Sequence, residues 1–269
     1  MFTSTAFAVA NSPLMNLRYL PFFTVLFFGA AHLEADAYPY KQSINETHPF
    51  QADGTLSLHN VNGEVTVRTW DRNEIQITGE RSAKTEEELA LIELKIDPRP
   101  ERVAIDVKLP KRKKGWFGGG EIRANVEFTI TVPVGARLDA VSTVNGTVNI
   151  QGVRGRVHAS TVNGAVKAVD IAGDVSLSTV NGGINAQLAA LQADGEVEAE
   201  CVNGGVTLKL PANASAKIDA SVVNGGIDCD FPVQVNGKIG GRRLNGVIGD
   251  GATKVKARTV NGGVRIERS

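Results

Sequence analysis

The tripeptide Val-Asn-Gly recurs along this chain, and its recurrence constrains the fold more than any other feature. Eight copies occur, and a ninth position carries Leu-Asn-Gly; we take all of them except Val235-Asn236-Gly237 as repeat positions. From Asn145 onward the asparagines are 18, 18, 22, 21, 21 and 16 residues apart. A period of roughly 20 residues is typical of proteins built from stacked repeats. We predict a structural corner at each of these asparagines, which are Asn62, Asn145, Asn163, Asn181, Asn203, Asn224, Asn245 and Asn261.

The residues on either side of each asparagine alternate between apolar and polar. In one copy Val175 and Leu177 precede the corner with serines between them, and Ile184 and Ala186 continue the apolar set after it. Alternation with a period of two residues indicates a strand with one buried face. Asn and Gly suit a turn between two strands because both tolerate positive φ. Each repeat is therefore predicted to be a strand, an Asn-Gly corner and a second strand, a unit that we call a rung.

Two architectures fit this unit. Asn-Gly between alternating strands is the strongest short-range hairpin signal, and hairpins in series would give an antiparallel meander. A parallel β-solenoid would instead stack like residue on like residue, about 4.8 Å apart. We favour the solenoid, because a meander does not require Thr, Val, Asn and Gly to recur at the same positions. The predicted fold class is all-β, a parallel β-solenoid of Val-Asn-Gly rungs with an N-terminal mixed β region and one short helix.

Residues 1–37 have the pattern of a secretory signal peptide. Arg18 precedes an apolar run over residues 20–31, and Ala35-Asp36-Ala37 has the form of a cleavage site. The apolar run is too short to span a bilayer comfortably, which disfavours the alternative of an uncleaved anchor. We predict cleavage near Ala37 and a mature protein that is secreted or periplasmic, in the cell envelope.

The remaining sequence divides near residue 137. Residues 38–137 form the N-terminal β region, in which Thr85-Glu86-Glu87-Glu88 has the capping-box form that begins a helix. Residues 138–269 contain only repeats. We expect the last repeat to be the open end of the solenoid, with the charges of residues 265–268 on an exposed edge. Self-association through this C-terminal rung follows as a hypothesis.

Several of these motifs together resemble a known family. They are the Val-Asn-Gly copies with their flanking Ser-Thr, the early Val61-Asn62-Gly63 with Trp70-Asp71 downstream, and the Val-Pro-Val-Gly-Ala stretch at residues 132–136. They are similar to the bacterial adhesin-type domains of unknown function that are called toastrack domains, over nearly all of the mature chain. The resemblance implies an extracytoplasmic β-solenoid that acts as an adhesin, an envelope sensor or an assembly platform. It brings no catalytic residues to this chain.

The residues themselves give no convincing active site, metal site or cofactor site. Cys201 and Cys229 are expected to face inward on neighbouring rungs, where a disulfide is an option in an oxidising compartment, although they fall on opposite arms of the corner. Glu198 and Asp219 are expected to project outward on neighbouring rungs, and a retaining glycosidase uses such a pair. Because the repeats contain a single aromatic residue, Phe231, we favour a solvated acidic patch.

The most distinctive local feature is a basic and aromatic loop. Its cations would be attracted to anionic head groups, and its rings could enter a membrane interface. The alternative is a solvated hairpin tip, since basic runs are often only solvated. The residues of this candidate membrane or polyanion contact are Lys111, Arg112, Lys113, Lys114, Trp116 and Phe117.

The surface otherwise offers little that is specific. The chain has no net charge, so we expect no general attraction to nucleic acid. Ser142, Ser160 and Ser178 form a polar row that is either a passive binding stripe or an ordinary soluble surface. We predict a non-enzymatic, adhesin-like binding or scaffold module whose partner is an envelope protein, a glycan or a lipid surface. The alternative is an envelope sensor or assembly platform that contacts membrane through residues 111–117.

Overall fold

The Val-Asn-Gly corners pass the chain back and forth between two β-sheets. The computed structural model describes residues 37–109, 123–235 and 242–269. Its one helix in these ranges is α1 (Glu86–Ala90). The strands in chain order are β1 (Tyr40–Pro49), β2 (Thr55–His59), β3 (Val65–Trp70), β4 (Glu74–Ala83), β5 (Glu93–Arg99), β6 (Arg102–Lys108), β7 (Ala124–Pro133), β8 (Arg137–Asn145), β9 (Val148–Gln151), β10 (Val157–Asn163), β11 (Val166–Ile171), β12 (Val175–Asn181), β13 (Ile184–Leu188), β14 (Glu196–Asn203), β15 (Val206–Leu210), β16 (Ala216–Asn224), β17 (Ile227–Cys229), β18 (Gln234–Val235), β19 (Arg243–Ile248), β20 (Thr253–Asn261) and β21 (Val264–Arg268).

The two sheets are long and mostly parallel. Sheet A has the order β1-β4-β7-β3-β9-β11-β13-β15-β21-β17, and sheet B has the order β18-β19-β16-β20-β14-β12-β10-β8-β2-β6-β5. Equivalent residues of successive repeats lie in register, as Val157 does with Val175 and Asn163 with Asn181. The prediction of a parallel β-solenoid is therefore confirmed, and the antiparallel meander is excluded for the repeats.

Seven rungs are stacked between the ends of the two sheets, and each has one arm in sheet B and one in sheet A. We number them by position in the stack. Rung 1 is β2 with β3, rung 2 is β8 with β9, rung 3 is β10 with β11, rung 4 is β12 with β13, rung 5 is β14 with β15, rung 6 is β20 with β21, and rung 7 is β16 with β17. The outlying Val61-Asn62-Gly63 is thus the corner of rung 1, below the regular repeats.

The last repeat of the chain is not the open end of the stack. Its strand β20 pairs with β14 on one side and β16 on the other. Its strand β21 pairs likewise with β15 and β17. The expectation that residues 265–268 decorate an open edge is therefore wrong. Because β20 and residues 264–266 of β21 are paired on both sides, only Glu267 and Arg268 of this rung lack a strand partner on one side, which leaves little free edge through which two copies could associate.

Asn245 is not a corner. It lies inside β19, which runs antiparallel to β16 and places Asn245 opposite Asp219. The prediction fails because Leu-Asn-Gly here lacks the preceding apolar arm: Arg243 stands two residues before the asparagine, where the corners from Asn145 onward have Thr, Cys or Val. The strand instead covers the top of sheet B, and β18 pairs with it.

The N-terminal region continues both sheets below rung 1. Strand β6 lies parallel to β2, and β7 lies parallel to β3. Antiparallel β5 ends sheet B, and antiparallel β4 and β1 end sheet A. The predicted short helix is confirmed, and the Thr85 side chain accepts a hydrogen bond from the backbone N–H of Glu88 over 3.2 Å. Within the described ranges, no helix combines the length and the apolar character needed to cross a membrane.

The core is a thin apolar layer between the inner faces of the two sheets. In rung 4, Val175 and Leu177 from sheet B and Ile184 and Ala186 from sheet A are each at most 2% exposed. Small and β-branched side chains suit this space because equivalent residues stack directly on one another. Burying each Val, Leu or Ile side chain contributes about 1.5–3 kcal/mol, so the inward rows supply the main stabilisation of the stack.

Candidate binding surface

The corner asparagines form a continuous ladder along one edge of the solenoid. Each donates its Nδ2 to the Oδ1 of the asparagine in the rung below, over 2.7–2.9 Å. Asn62, at the bottom, donates to the carbonyl oxygen of Ala124 over 3.0 Å. Because these amides satisfy one another, the ladder stabilises the fold and is not a set of free binding groups. In stack order its members are Asn62, Asn145, Asn163, Asn181, Asn203, Asn261 and Asn224.

In rungs 2–6, the buried residue two positions before the asparagine joins one rung to the next. The hydroxyl of Thr179 donates to the carbonyl oxygen of Gly164 over 2.9 Å. In rung 5 the thiol of Cys201 takes this place, 3.1 Å from the oxygen of Gly182. The recurring threonine is therefore explained by stacking and not only by its preference for strands. The same bond is made by Thr143, Thr161 and Thr259.

The corner glycine is required by the backbone of the rung below. A Cβ added to Gly182, which has φ +154°, would lie 1.9 Å from the carbonyl oxygen of Gly164. At Gly183, the next residue, the nearest atom would be 3.4 Å away, an ordinary contact. The first glycine after the asparagine is thus fixed by close backbone approach, whereas the second is free to vary.

In rungs 2–7, the valine before the corner asparagine points outward and remains exposed. We call the resulting row the valine column: Val144, Val162, Val180, Val202, Val260 and Val223, in stack order. These side chains are 39–54% exposed, at positions where the fold itself would accept polar residues. Contiguous exposed apolar surface of this kind marks interaction sites in soluble proteins. The column is the clearest candidate binding surface, although in the sequence these valines stand out only as part of the corner motif.

A groove of about 420 Å³ runs beside the valine column over rungs 4–7. The column forms one wall, and the outward side chains two residues earlier form the other. This second wall contains Ser178, Glu200, Arg258 and Ser221, one from each rung. The groove therefore combines an apolar wall with a wall of hydroxyls and one ion pair.

Charged side chains connect rungs 5, 6 and 7 on the outer face of sheet B. Lys256 of rung 6 lies 2.6 Å from Glu196. Arg258 lies 3.2 Å from Glu200 on one side and 3.4 Å from Asp219 on the other. The hydrogen bond to Lys256 lowers the pKa of Glu196 and raises that of Lys256. The hydrogen bond from Arg258 to Glu200 likewise raises the pKa of the guanidinium group.

This arrangement overturns the predicted carboxylate pair. Strand β20 lies between β14 and β16, so Glu198 and Asp219 each face Lys256 and not one another. Direct stacking of rung 7 on rung 5 would have placed the two carboxylates opposite each other, and like charges at facing positions are destabilising. The cations of rung 6 remove that repulsion, which gives a physical reason for the order of the rungs.

The repeat region, with its stacked rungs and asparagine ladder, matches a known protein family. The family model of the Toastrack domain, DUF4097, matches residues 140–267. Residues 140–267 form a Toastrack domain. No curated protein matches the chain. The Toastrack domain extends over rungs 2–7, so it contains the whole valine column and the groove.

Several solved structures resemble the chain at low identity. A "putative cell adhesion protein" from Clostridium sporogenes is 15% identical with a TM-score of 0.49, and the match covers 85% of this chain and 100% of that one. A "putative adhesin" from Bacteroides fragilis is 13% identical with a TM-score of 0.35, covering 86% and 99%. A "putative lipid binding protein" from Parabacteroides distasonis is 13% identical with a TM-score of 0.34, covering 87% and 99%. Similarities this distant carry no argument about the ligand of the Toastrack domain.

The predicted serine row lies on the outer face of sheet B. Ser142, Ser160 and Ser178 are in register on rungs 2, 3 and 4. His59 of rung 1 extends the row, with its Nδ1 2.9 Å from the Oγ of Ser142, and Asp106 of β6 is in register with His59. The succession of Ser142, His59 and Asp106 could not be predicted from the sequence, because these three residues are far apart along the chain. His59 is exposed, and the row lies on an outward face rather than in a water-excluding cleft.

The two cysteines are unbonded. Cys201 is buried in sheet B of rung 5, whereas Cys229 is in sheet A of rung 7, so rung 6 lies between their rungs. The expectation of neighbouring rungs fails because the last repeat is inserted there. Burial raises the pKa of both thiols.

Two predicted features fall outside the described residues. One is the signal peptide, apart from Ala37, and the other is the basic and aromatic loop at residues 111–117. The strands that flank this loop are described: β6 runs parallel to β2, and β7 runs parallel to β3. Both therefore meet the loop at the edge that carries the asparagine ladder. In residues 37–109, 123–235 and 242–269, no group of three or more His, Cys, Asp or Glu is placed to hold a metal ion.

Proposed function

We propose that this protein is a non-enzymatic, adhesin-like binding or scaffold module that works outside the cytoplasm. The observation that carries the proposal is the valine column, a row of exposed apolar side chains held at regular intervals by paired strands. A stack of paired strands keeps such a surface rigid, so little ordering entropy is lost when a partner binds. Ion pairing argues against a glycosidase, because Glu198 and Asp219 both face a cation.

The N-terminal sequence supports a location outside the cytoplasm. Residues 1–37 have the signal-peptide pattern, and the mature chain would reach the periplasm or the exterior. There the partner classes are an envelope protein, a glycan or a lipid surface. Among these the valine column favours a partner with an apolar component, since it offers few hydrogen-bonding groups of its own.

Site-specific crosslinking in the native envelope tests this function. A photoreactive residue replaces Val162 in the valine column, and the control replaces Gln187, which is exposed on the outer face of sheet A. We expect a recurring envelope component to crosslink from position 162 and not from position 187. The same products from both positions would show that the column has no special role, and no product from either would count against a stable envelope partner.

A second candidate function is membrane contact through Lys111, Arg112, Lys113, Lys114, Trp116 and Phe117. The position of the flanking strands favours it, since they meet this segment at the edge that also carries the valine column. Replacing Trp116 and Phe117 with Ser should weaken binding to vesicles that contain anionic lipid. The control replaces Gln187, on the outer face of sheet A, with Ser and should leave vesicle binding unchanged. Unchanged vesicle binding in the Trp116/Phe117 variant would exclude the loop as the contact.

A further inference from the structure

We infer that the groove beside the valine column on rungs 4–7 is a contact surface for a second copy of this chain. The two copies would lie face to face with their stacks antiparallel, related by a two-fold axis that passes between rungs 5 and 6. This interface differs from the C-terminal edge considered above. It also does not depend on which envelope component the protein binds.

The spacing of the column favours a second copy over a peptide. Paired strands place successive valines about 4.8 Å apart. An extended peptide laid along the column would present same-side residues about 6.6–6.8 Å apart. Its side chains would therefore be out of register with the valines after one or two rungs. Another stack of the same rungs repeats at the same interval. Its valines can therefore meet those of the first copy rung by rung along the whole contact.

The charges of the groove are self-complementary about the same axis. In stack order the polar wall reads Ser178, Glu200, Arg258 and Ser221. A two-fold axis between rungs 5 and 6 brings Glu200 of each copy opposite Arg258 of the other, and Ser178 opposite Ser221. It also brings rung 4 against rung 7 along the column. An isologous interface requires this kind of self-complementarity, and opposite charges fix its register.

The size of the surface predicts a weak dimer. The apolar strip is narrow, because only four of the six column valines line the groove, whereas apolar patches that mark interaction sites measure about 300–600 Å². Stable interfaces bury about 800 Å² on each partner, so the polar wall and the asparagine ladder must also be covered. We therefore expect a monomer–dimer equilibrium that depends on concentration.

Sedimentation equilibrium of the purified protein tests the inference. Val202→Thr with Val260→Thr changes two groove valines to a residue of the same shape and similar strand preference. Val144→Thr with Val162→Thr makes the same change on rungs 2 and 3, outside the groove, at nearly equal exposure. We expect the first variant to raise the dimer dissociation constant at least tenfold and the second to leave it within about twofold, since the two-fold axis places only rungs 4–7 in contact. A monomer at every concentration, or equal effects of the two variants, would overturn the proposal.

Disulfide trapping tests the geometry without relying on affinity. In a Cys229→Ser background, Ser178→Cys with Ser221→Cys places thiols that face each other only across the two-fold axis. Within one chain these positions are three rungs apart, about 14 Å, too far for a disulfide. Oxidation should give a covalent dimer, whereas the control pair Ser142→Cys with Ser178→Cys should not. If the protein is monomeric and binds neutral phosphatidylcholine vesicles, and Val202→Thr with Val260→Thr abolishes that binding, the occupant is an acyl chain and the inference is wrong.

Discussion

Rungs 2–4 and rungs 5–7 have the same inner face but follow different rules of assembly. Rungs 2–4 stack in the order of the chain and carry serines outward, whereas rungs 5–7 place the last repeat between two earlier ones and carry charges outward. Inward residues do not explain the difference, because Val197 and Ala199 of rung 5 would match Ile218 and Ala220 of rung 7 equally well. The comparison indicates that the inward apolar residues allow any rung to pack on any other. The outward charges then favour particular pairs of adjacent rungs.

The largest expected effect is on the corner glycines, which both regions share. Gly182→Ala in rung 4 and Gly204→Ala in rung 5 should each lower the free energy of unfolding by about 3 kcal/mol or more, because the new Cβ meets a backbone carbonyl that cannot move away. Urea denaturation followed by circular dichroism measures the loss. Gly183→Ala is the matched control and should be nearly neutral. A large loss in one region alone would mean that the corners of the two regions are not equivalent.

A smaller effect on stability is expected at the buried residue that precedes each valine of the valine column. Thr179→Val keeps the shape but removes the hydroxyl that donates to Gly164, leaving a carbonyl oxygen without this bond. The free energy of unfolding should fall by about 1–2 kcal/mol. Cys201→Thr restores the repeat residue in rung 5 and should change stability by less than about 0.5 kcal/mol, in either direction. Equal losses in both variants would show that packing, and not the hydrogen bond, decides this position.

The charges that distinguish the two regions should contribute modestly. Arg258→Glu places a carboxylate between Glu200 and Asp219, and we expect a loss of about 1–2 kcal/mol at low salt, because exposed ion pairs contribute little individually. Added salt should reduce the loss, since screening weakens the new repulsion. Ser160→Glu makes a similar surface change in rung 3 and should have almost no effect. A loss that does not respond to salt would contradict an electrostatic origin.

The smallest effect is the pH dependence of rungs 5–7. The pKa of Glu196 is lowered from its ordinary value of 4.5. Its ionised form therefore stabilises the fold at pH values above 4.5, and this contribution disappears as the pH falls through the lowered pKa. The raised pKa of Lys256 contributes below 10.5 and is lost as pH rises through the raised value. Lys256→Met should flatten both ends of a plot of urea midpoint against pH. An unchanged profile would mean that this pair makes no net contribution.

The repeat pattern predicted the solenoid but overestimated its regularity. Period-two alternation around Asn163 and Asn181 indicated strands, and the recurrence of whole motifs indicated parallel stacking in register. The same motif was misleading at Asn245, where Arg243 interrupts the apolar arm. The valine column was also overlooked, because outward exposure of a corner residue becomes visible only when the rungs are stacked.

The sequence by itself determined the structure of a single rung. It specified the two strands, the Asn-Gly corner and the buried residue two positions before the asparagine. These features depend on contacts within one repeat or between equivalent positions of any two repeats. Only the tertiary structure decided which rung lies on which. The apolar faces are interchangeable, so the order depends on pairings such as Glu200 with Arg258 and Arg258 with Asp219, between residues that are distant in the chain. The same stacking brought the valines and the polar wall of the groove together as one surface.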